Sequence, residues 1–446
     1  MSHVSAGGGP VQDLQVRNAR VPRNLIVGEE PFLSGPGDGY ALIDIGVRNG
    51  FITQLSPSGG GTTDASYVLD ARGGMVLPCY VDVHTHLDKT QTFHRVVNSN
   101  GTLQGAICAE HEDMALHWNL QDVKSRMHFG VACAYAHGTS AMRSHLLSHE
   151  QWRETIWQAF AEVQHVWRGK VKLQPAALVN FDLLRDPLEL DRLADWVLAH
   201  GGVLGCAIMN PAGDIAAALD RMLRVADERG LDLDFHADEN EDPESRSLRD
   251  IAESVQRTSY SGRVVVGHCC SLALQSTETV QETLARVRES NIGVVALPLT
   301  NAFLQGRAPG VTPTVRGITR LREMHRAGVV TALASDNCRD PFFPFGDYDM
   351  QEVLASGVLM AHLEQELLQA CAAVTRNPAQ MMRLDSFGVL SEGAGADLLI
   401  YGEQDLAALI ARRPSPTHLI RNGIEAFPKL PDFGMLHRPV NKDKGE

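Results

Sequence analysis

Eight short apolar, strand-like runs recur along this chain with helix-like stretches between them, and that alternation restricts the fold more than any other feature of the sequence. The runs cover residues 75–83, 138–145, 171–179, 202–209, 231–236, 263–268, 293–297 and 329–335. Between them, residues 182–200, 216–229, 277–289 and 317–327 are amphipathic at helical spacing and long enough to serve as crossover helices. Strands that alternate with helices pair in parallel, and eight of them predict an α/β fold, a closed (β/α)8 barrel of the triosephosphate-isomerase type. Such a barrel commonly takes upwards of about 200 residues as one unit, so a chain of 446 residues has room for more.

The remainder lies at the two ends. Residues 14–21, 41–48 and 51–56 read as short strands separated by Gly and Pro turns, and 396–401 and 418–422 read the same way after the barrel. Neither end alone supplies enough strands to bury a core. Together they are expected to form one small β-sandwich, from 1–74 and 385–446, around a barrel of 75–384. The tail after Leu430, with Pro, Asp, Lys and Gly, is expected to be a loose arm.

Charge narrows the partners. With 40 Lys and Arg against 54 Asp and Glu the formal charge is −14, and the basic residues are scattered. That pattern argues against nucleic acid and against acidic membranes. Eight cysteines without a C-x-x-C pair, a Gly-rich start lacking the features of a secretory signal, and no apolar run near the roughly 20 residues of a membrane helix predict a soluble cytoplasmic protein with reduced thiols.

Barrel enzymes carry their chemistry at the C-terminal ends of the strands. The first run leads into Val83-His84-Thr85-His86; alternation on a strand turns both imidazoles to one face, where they can chelate a divalent transition metal. The other runs end in His145, His236, His268 and Asp336. A two-metal site often uses a carboxylated lysine on the fourth strand, but Gly205-Cys206-Ala207-Ile208-Met209-Asn210 has none. One metal is therefore expected, on His84, His86, His236 and Asp336, with an exchangeable water in a remaining position. Glu239, three residues past His236, can reach a substrate beside that metal, and confinement there would raise its pKa towards neutrality. The competing reading makes residues 238–242 a solvated acidic loop capping the next helix, and Asp238 is assigned to it.

The residues also match a family. His84-Thr85-His86-Leu87-Asp88, Thr90-Gln91-Thr92, the His236-x-x-Glu239 pair, Gly267-His268, the loop 298–307, Arg316-Gly317-Ile318-Thr319-Arg320 and Asp336-Asn337-Cys338-Arg339-Asp340-Pro341 resemble the amidohydrolase superfamily, and within it the cytosine deaminase branch, from about Leu14 to Phe427. The resemblance implies a single Zn or Fe ion, with His268 orienting the metal-bound hydroxide that attacks a cyclic amidine and releases ammonia. It implies that Glu239 passes a proton to a ring nitrogen, and that Asp336 takes the proton from the water and helps deliver it to the leaving amine. The partners so implied are a small nitrogen heterocycle and water, and relatives of this kind imply a homo-oligomer.

Two departures bear on the substrate. Asn180 stands where such deaminases carry a glutamine at the end of strand three, and Asn337 replaces the aspartate that follows the metal-binding one. An acceptor-only carboxylate has become an amide that both donates and accepts, which alters the base edge it can read. Cytosine or a related aminoheterocycle is the expected substrate. Removal of an alkylamine from an s-triazine, which other relatives with similar motifs perform, or opening of a cyclic amide is the alternative. An inactive scaffold would show lost ligands, and the set is whole. Gln305 and Arg307 are expected either to line the pocket or to clamp a loop, and Phe303, Phe342 and Phe343 either to stack on a ring or to pack. Cys269 and Cys270 are rejected as ligands because neighbouring side chains on a strand diverge.

Overall fold

The computed structural model describes residues 13–28, 37–59, 65–209 and 215–436. Two compact units divide the chain: Met1–Val81 with Gly357–Phe427, and Asp82–Ser356 with Pro428–Glu446.

The first unit is built from both chain ends. Its first sheet places Leu14–Pro22 between Tyr40–Arg48, antiparallel, and Tyr67–Asp70, parallel, with Phe51–Pro57 outside Tyr40–Arg48. The second sheet is antiparallel throughout: Val76–Pro78, Leu398–Ile400, His418–Arg421 and Ile424–Ala426. Val16, Ile43, Ile45 and Ile52 of one sheet share a core with Val76, Leu398, Ile400 and Ile420 of the other. Two hairpins turn on the same dipeptide, Asn49-Gly50 and Asn422-Gly423, all four residues at positive φ, as a two-residue turn matched to strand twist requires.

The second unit is the barrel. Its strands are β1 (Tyr80–Thr85), β2 (Thr139–Leu147), β3 (Lys172–Leu178), β4 (Leu204–Ile208), β5 (Leu233–Ala237), β6 (Val264–His268), β7 (Gly293–Ala296) and β8 (Thr331–Leu333). They form the runs β1-β2-β3 and β4-β5-β6-β7-β8. Parallel bridges Ala176↔Val203 and Asn180↔Ala207 join β3 to β4, and Thr85↔Asp336 closes the circle. Inside the ring, Arg143 of β2 is paired with Asp234 of β5 at 2.6 Å and held by Gln174 of β3 at 2.9 Å. The charge is thus compensated where water cannot reach it.

The expected run 75–83 is two strands. Val76–Pro78 pairs with Leu398–Ile400, and only Tyr80–Thr85 enters the barrel. Both halves are buried throughout, so one continuous apolar run conceals the change of sheet. The expected helix 182–200 is likewise divided into a 3-10 turn, Phe181–Arg185, and the helix Pro187–Ala199. Pro187 cannot continue the preceding turn, and Asp186 caps the new helix through the Leu188 N–H. Helices Ala216–Arg229 and Thr277–Glu289 have the expected bounds. The helix in 317–327 starts only at Leu321, because Gly317 is left-handed and the Thr319 hydroxyl bonds the Cys269 carbonyl at 2.9 Å.

The tail is not loose as far as Leu436. Phe433 lies 5.4 Å from the Phe129 ring and under the Arg339 guanidinium at 4.3 Å, and Asp432 caps its turn. Residues 1–12, Asn210 and 437–446 lie outside the described residues. Among the described residues no helix is long and apolar enough to cross a membrane.

Candidate metal centre and substrate cavity

Alternation along β1 turns His84 and His86 to one side, while the Thr85 hydroxyl turns away to bond the Arg143 carbonyl at 2.9 Å. β5 and the end of β6 bring His236 and His268 to the same mouth. The closing bridge brings Asp336, whose N–H donates to the His84 carbonyl at 2.9 Å. Asp336 and His268 both hold left-handed φ, +63° and +71°, a cost that non-glycine residues bear where surrounding structure fixes them. Asp82 secures the turn before Asp336, accepting from the Ser335 N–H at 3.2 Å and hydroxyl at 2.5 Å.

The donor atoms converge. His236 Nε2 lies 3.3 Å from His86 Nε2, and Asp336 Oδ1 lies 3.2 Å from His86 Nε2 and 3.5 Å from His84 Nε2. Zinc–nitrogen bonds of roughly 2.0–2.1 Å in a tetrahedron place ligands roughly 3.3 Å apart. Both ring nitrogens of His84, and both Asp336 oxygens, are buried without a well-formed hydrogen bond among the described residues. Such atoms are costly to leave unpaired. Burial first, then the neighbouring imidazoles, pushes His84 well below its ordinary pKa; burial does the same to His86 and His236, and takes His268 to about 4. The rings are therefore neutral and present lone pairs. A buried His/Asp cluster with these spacings suits a metal ion.

His145 joins the cluster. Its ring centroid lies 4.1 Å from that of His84, and its donor atoms fall in one group with His84, His86 and His236; its Nε2 is 3.1 Å from Asp234 Oδ1. The sequence marked His145 as a strand end but not as a member of the ligand set.

Glu239 stands beside the cluster, with Oε1 3.3 Å from His268 Nδ1 and 3.4 Å from Asn301 Nδ2. Asn301 also lies 3.0 Å from His268 Nδ1. Burial and the Asp336 charge raise the Glu239 pKa well above the carboxylate range, with Lys89 opposing. Asp238 faces elsewhere and caps the helix Ser247–Thr258 through the Ser247 and Leu248 N–H groups.

A cavity of about 660 Å³ opens over these groups, and Asn180, Asn337, Ile107, Met114, Trp152 and Phe342 are in its wall. Asn180 accepts from the Asp182 N–H at 2.9 Å, and Asn337 donates to Asp340 at 2.8 Å. Gln305 stands off this wall, donating to the Glu239 carbonyl at 3.4 Å. Arg307 bonds the Phe303 carbonyl and lies over that ring, while Phe343 packs on Phe303 and Phe345. Cys269 and Cys270 are buried and free, outside the metal-binding groups found among the described residues. Sequence reasoning passed over Glu110 and Asn301, and gave no role to Lys89, which closes the run His84-Thr85-His86-Leu87-Asp88-Lys89 shared with relatives that remove alkylamines. Asn301 lay within the quoted loop 298–307, which was the available signal.

Gly267 on β6 leaves room for His84: a Cβ there would stand 2.8 Å from His84 Cε1 and 2.9 Å from Nδ1. Gly267→Ala is expected to displace that imidazole and lower bound metal per chain at least several-fold, with far-ultraviolet circular dichroism unchanged. Elemental analysis checks it.

Comparison with known proteins follows the same lines. A model described as "Amidohydrolase family" matches residues 183–423. The chain is 39% identical over 420 residues, 94% of this chain and 95% of the other, to a pterin deaminase of Rhizobium rhizogenes. It is 23% identical over 404 residues, 86% and 93% of the two chains, to an N-isopropylammelide isopropyl amidohydrolase of a Pseudomonas species. The solved structure of a Klebsiella pneumoniae 5-methylcytosine deaminase liganded with 5-fluorocytosine superposes with a TM-score of 0.81 at 24% identity, covering 93% and 97%. That last likeness speaks to the fold.

Proposed function

The chain belongs to the amidohydrolase family, and from that premise we propose that it is a hydrolytic deaminase of an aminated, bicyclic nitrogen heterocycle of the 2-amino-4-oxopteridine class. The observation that carries the reading is the convergence of unpaired, neutral imidazoles and the Asp336 carboxylate beside a buried Glu239. The extent of the cavity supports a two-ring substrate: about 660 Å³ falls within the roughly 300–1,000 Å³ typical of small-molecule sites and is generous for one six-membered ring. The pterin deaminase relative supports it independently.

In this reading His84, His86, His236 and Asp336 hold one divalent ion, zinc or iron. When bound, such a cation lowers the pKa of a coordinated water into the neutral range. Glu239, whose pKa burial raises, gives a proton to a ring nitrogen, which makes the adjacent amidine carbon electrophilic. Asn301 and His268 fix the direction of that carboxyl. Asp336 accepts a proton from the attacking water and passes it to the departing amine, so that water and amidine become lactam and ammonia. His268 Nε2 orients the water. Asn337 has its amide nitrogen committed to Asp340, which leaves its carbonyl oxygen to accept from the substrate, whereas Asn180 has its oxygen committed to the Asp182 N–H and its amide nitrogen left to donate. Eight free cysteines support a reducing, cytoplasmic setting.

Ammonia release measured across 2-amino-4-oxopteridine, cytosine, 5-methylcytosine, isocytosine and amino- or alkylaminotriazines tests the reading. The pteridine is expected to have the highest kcat/KM, by about tenfold or more. Preference for a pyrimidine would overturn the bicyclic assignment, and no amine release from any of them would overturn the deaminase itself.

A further inference from the structure

The cavity that holds the histidines also holds a charged pair that the steps above leave unused. Lys89 lies three residues past His86, and Glu110 comes from the helix Leu103–His117. Their side chains are 6% and 5% exposed, with Nζ 3.0 Å from Oε1, and both line the same cavity as His86, Glu239 and Asp336. The ammonium also lies 4.4 Å from the centre of the Phe342 ring.

Stability gives no reason for this pair. Burying two ions returns little unless their geometry is excellent, and well-packed apolar side chains often do as well or better. Here Glu110 Oε1 makes no well-directed hydrogen bond among the described residues. The pair is also fixed in its charge state on the lysine side: burial opposes the ammonium, yet Glu110 and Asp88 hold its pKa above the ordinary lysine value. An ammonium can only donate, and an ionised carboxylate can only accept. Side by side they are complementary to an acceptor next to a donor, which on a heterocycle is the O=C–N–H edge of a cyclic lactam.

We propose that Lys89 and Glu110 together read the lactam edge of the substrate, ammonium to carbonyl oxygen and carboxylate to the adjacent ring N–H, so that the site selects amino-oxo rings over their diamino counterparts. The inference rests on the cavity being a heterocycle site. In a diamino ring the edge is inverted: an amino group meets the ammonium and a bare ring nitrogen meets the carboxylate. Both contacts then repel, and a mismatched polar edge is discriminated far more strongly than a missing methylene.

The experiment is calorimetric binding of 2,4-dioxopteridine and 2,4-diaminopteridine to the metal-loaded protein in a Glu239→Gln background, where neither ring is consumed. The dioxo ring is expected to bind at least about a hundredfold more tightly. Adding Glu110→Gln, whose amide can serve either pattern, should shrink that ratio to within several-fold, and Lys89→Met should weaken the dioxo ring selectively. A pair with only a structural role would move both affinities together, and that result, or equal binding of the two rings before substitution, overturns the proposal. Selective binding with no ammonia release from any substrate of the panel would remove the deaminase reading and leave this one standing.

Discussion

Glu239→Gln is expected to retain its metal and to lose turnover by about two to four orders of magnitude, the range for a positioned general acid or base. The argument is local. Glu239 is buried against His268 and Asn301, and burial with the Asp336 charge raises its pKa, which favours the protonated acid. Glutamine preserves the shape and can still meet Asn301, but it has no carboxyl proton to transfer. Because Glu239 lies outside the proposed ligand set, metal per chain should stay within error of the parent protein. The measurement is kcat at saturating substrate alongside elemental analysis. Parent-like turnover would remove Glu239 from the mechanism, and a matching loss of metal would place it among the ligands.

His84→Ala is expected to do the opposite, losing metal first and activity with it. His84 has no exposed surface and presents Nε2 within 3.5 Å of Asp336, so its removal takes one of three proposed imidazole ligands and leaves a void. Substituting a conserved partner outside a metal's own ligands already costs roughly 10–100-fold in metal affinity or activity, and losing a ligand should cost more. His84→Asn, which fills part of the void, separates a metal effect from a packing effect. Both variants should fall to well below half occupancy after dialysis, while circular dichroism shows the barrel intact in at least the asparagine form.

The barrel and its mouth were legible because parallel strands covered on both faces read as unbroken apolar runs, and because ionisable residues at the ends of such runs stand out. The same continuity hid the break at Cys79, where the chain passes from Val76–Pro78 to Tyr80–Thr85. Tyr67–Asp70 and Ile424–Ala426 escaped notice because they are short and mostly exposed or half-buried, so neither carries a period-two signal. Lys89 and Glu110 were hidden for a different reason. The helix Leu103–His117 buries Ala106, Ala109, Glu110, Asp113 and Met114, a mixture of charge and hydrocarbon in which periodicity marks no inner face. Only the fold reveals that one of its carboxylates meets a lysine from the turn that follows β1. The roles of Asn180 and Asn337 depended on which amide atom a near neighbour occupies, and residue identity alone does not say: the Asp182 N–H takes up the Asn180 oxygen, and Asp340, inside the quoted 336–341 run, takes up the Asn337 amide.

The central claim is that the histidine–aspartate cluster holds a cation without which the heterocycle is not hydrolysed. It is tested most directly by removing metal with a chelator, restoring zinc or iron in fractional steps, and measuring ammonia release from 2-amino-4-oxopteridine at each occupancy. Activity should be absent in the stripped protein and rise in proportion to bound metal until one ion per chain is reached. Full activity in protein shown by elemental analysis to carry no transition metal would contradict the account.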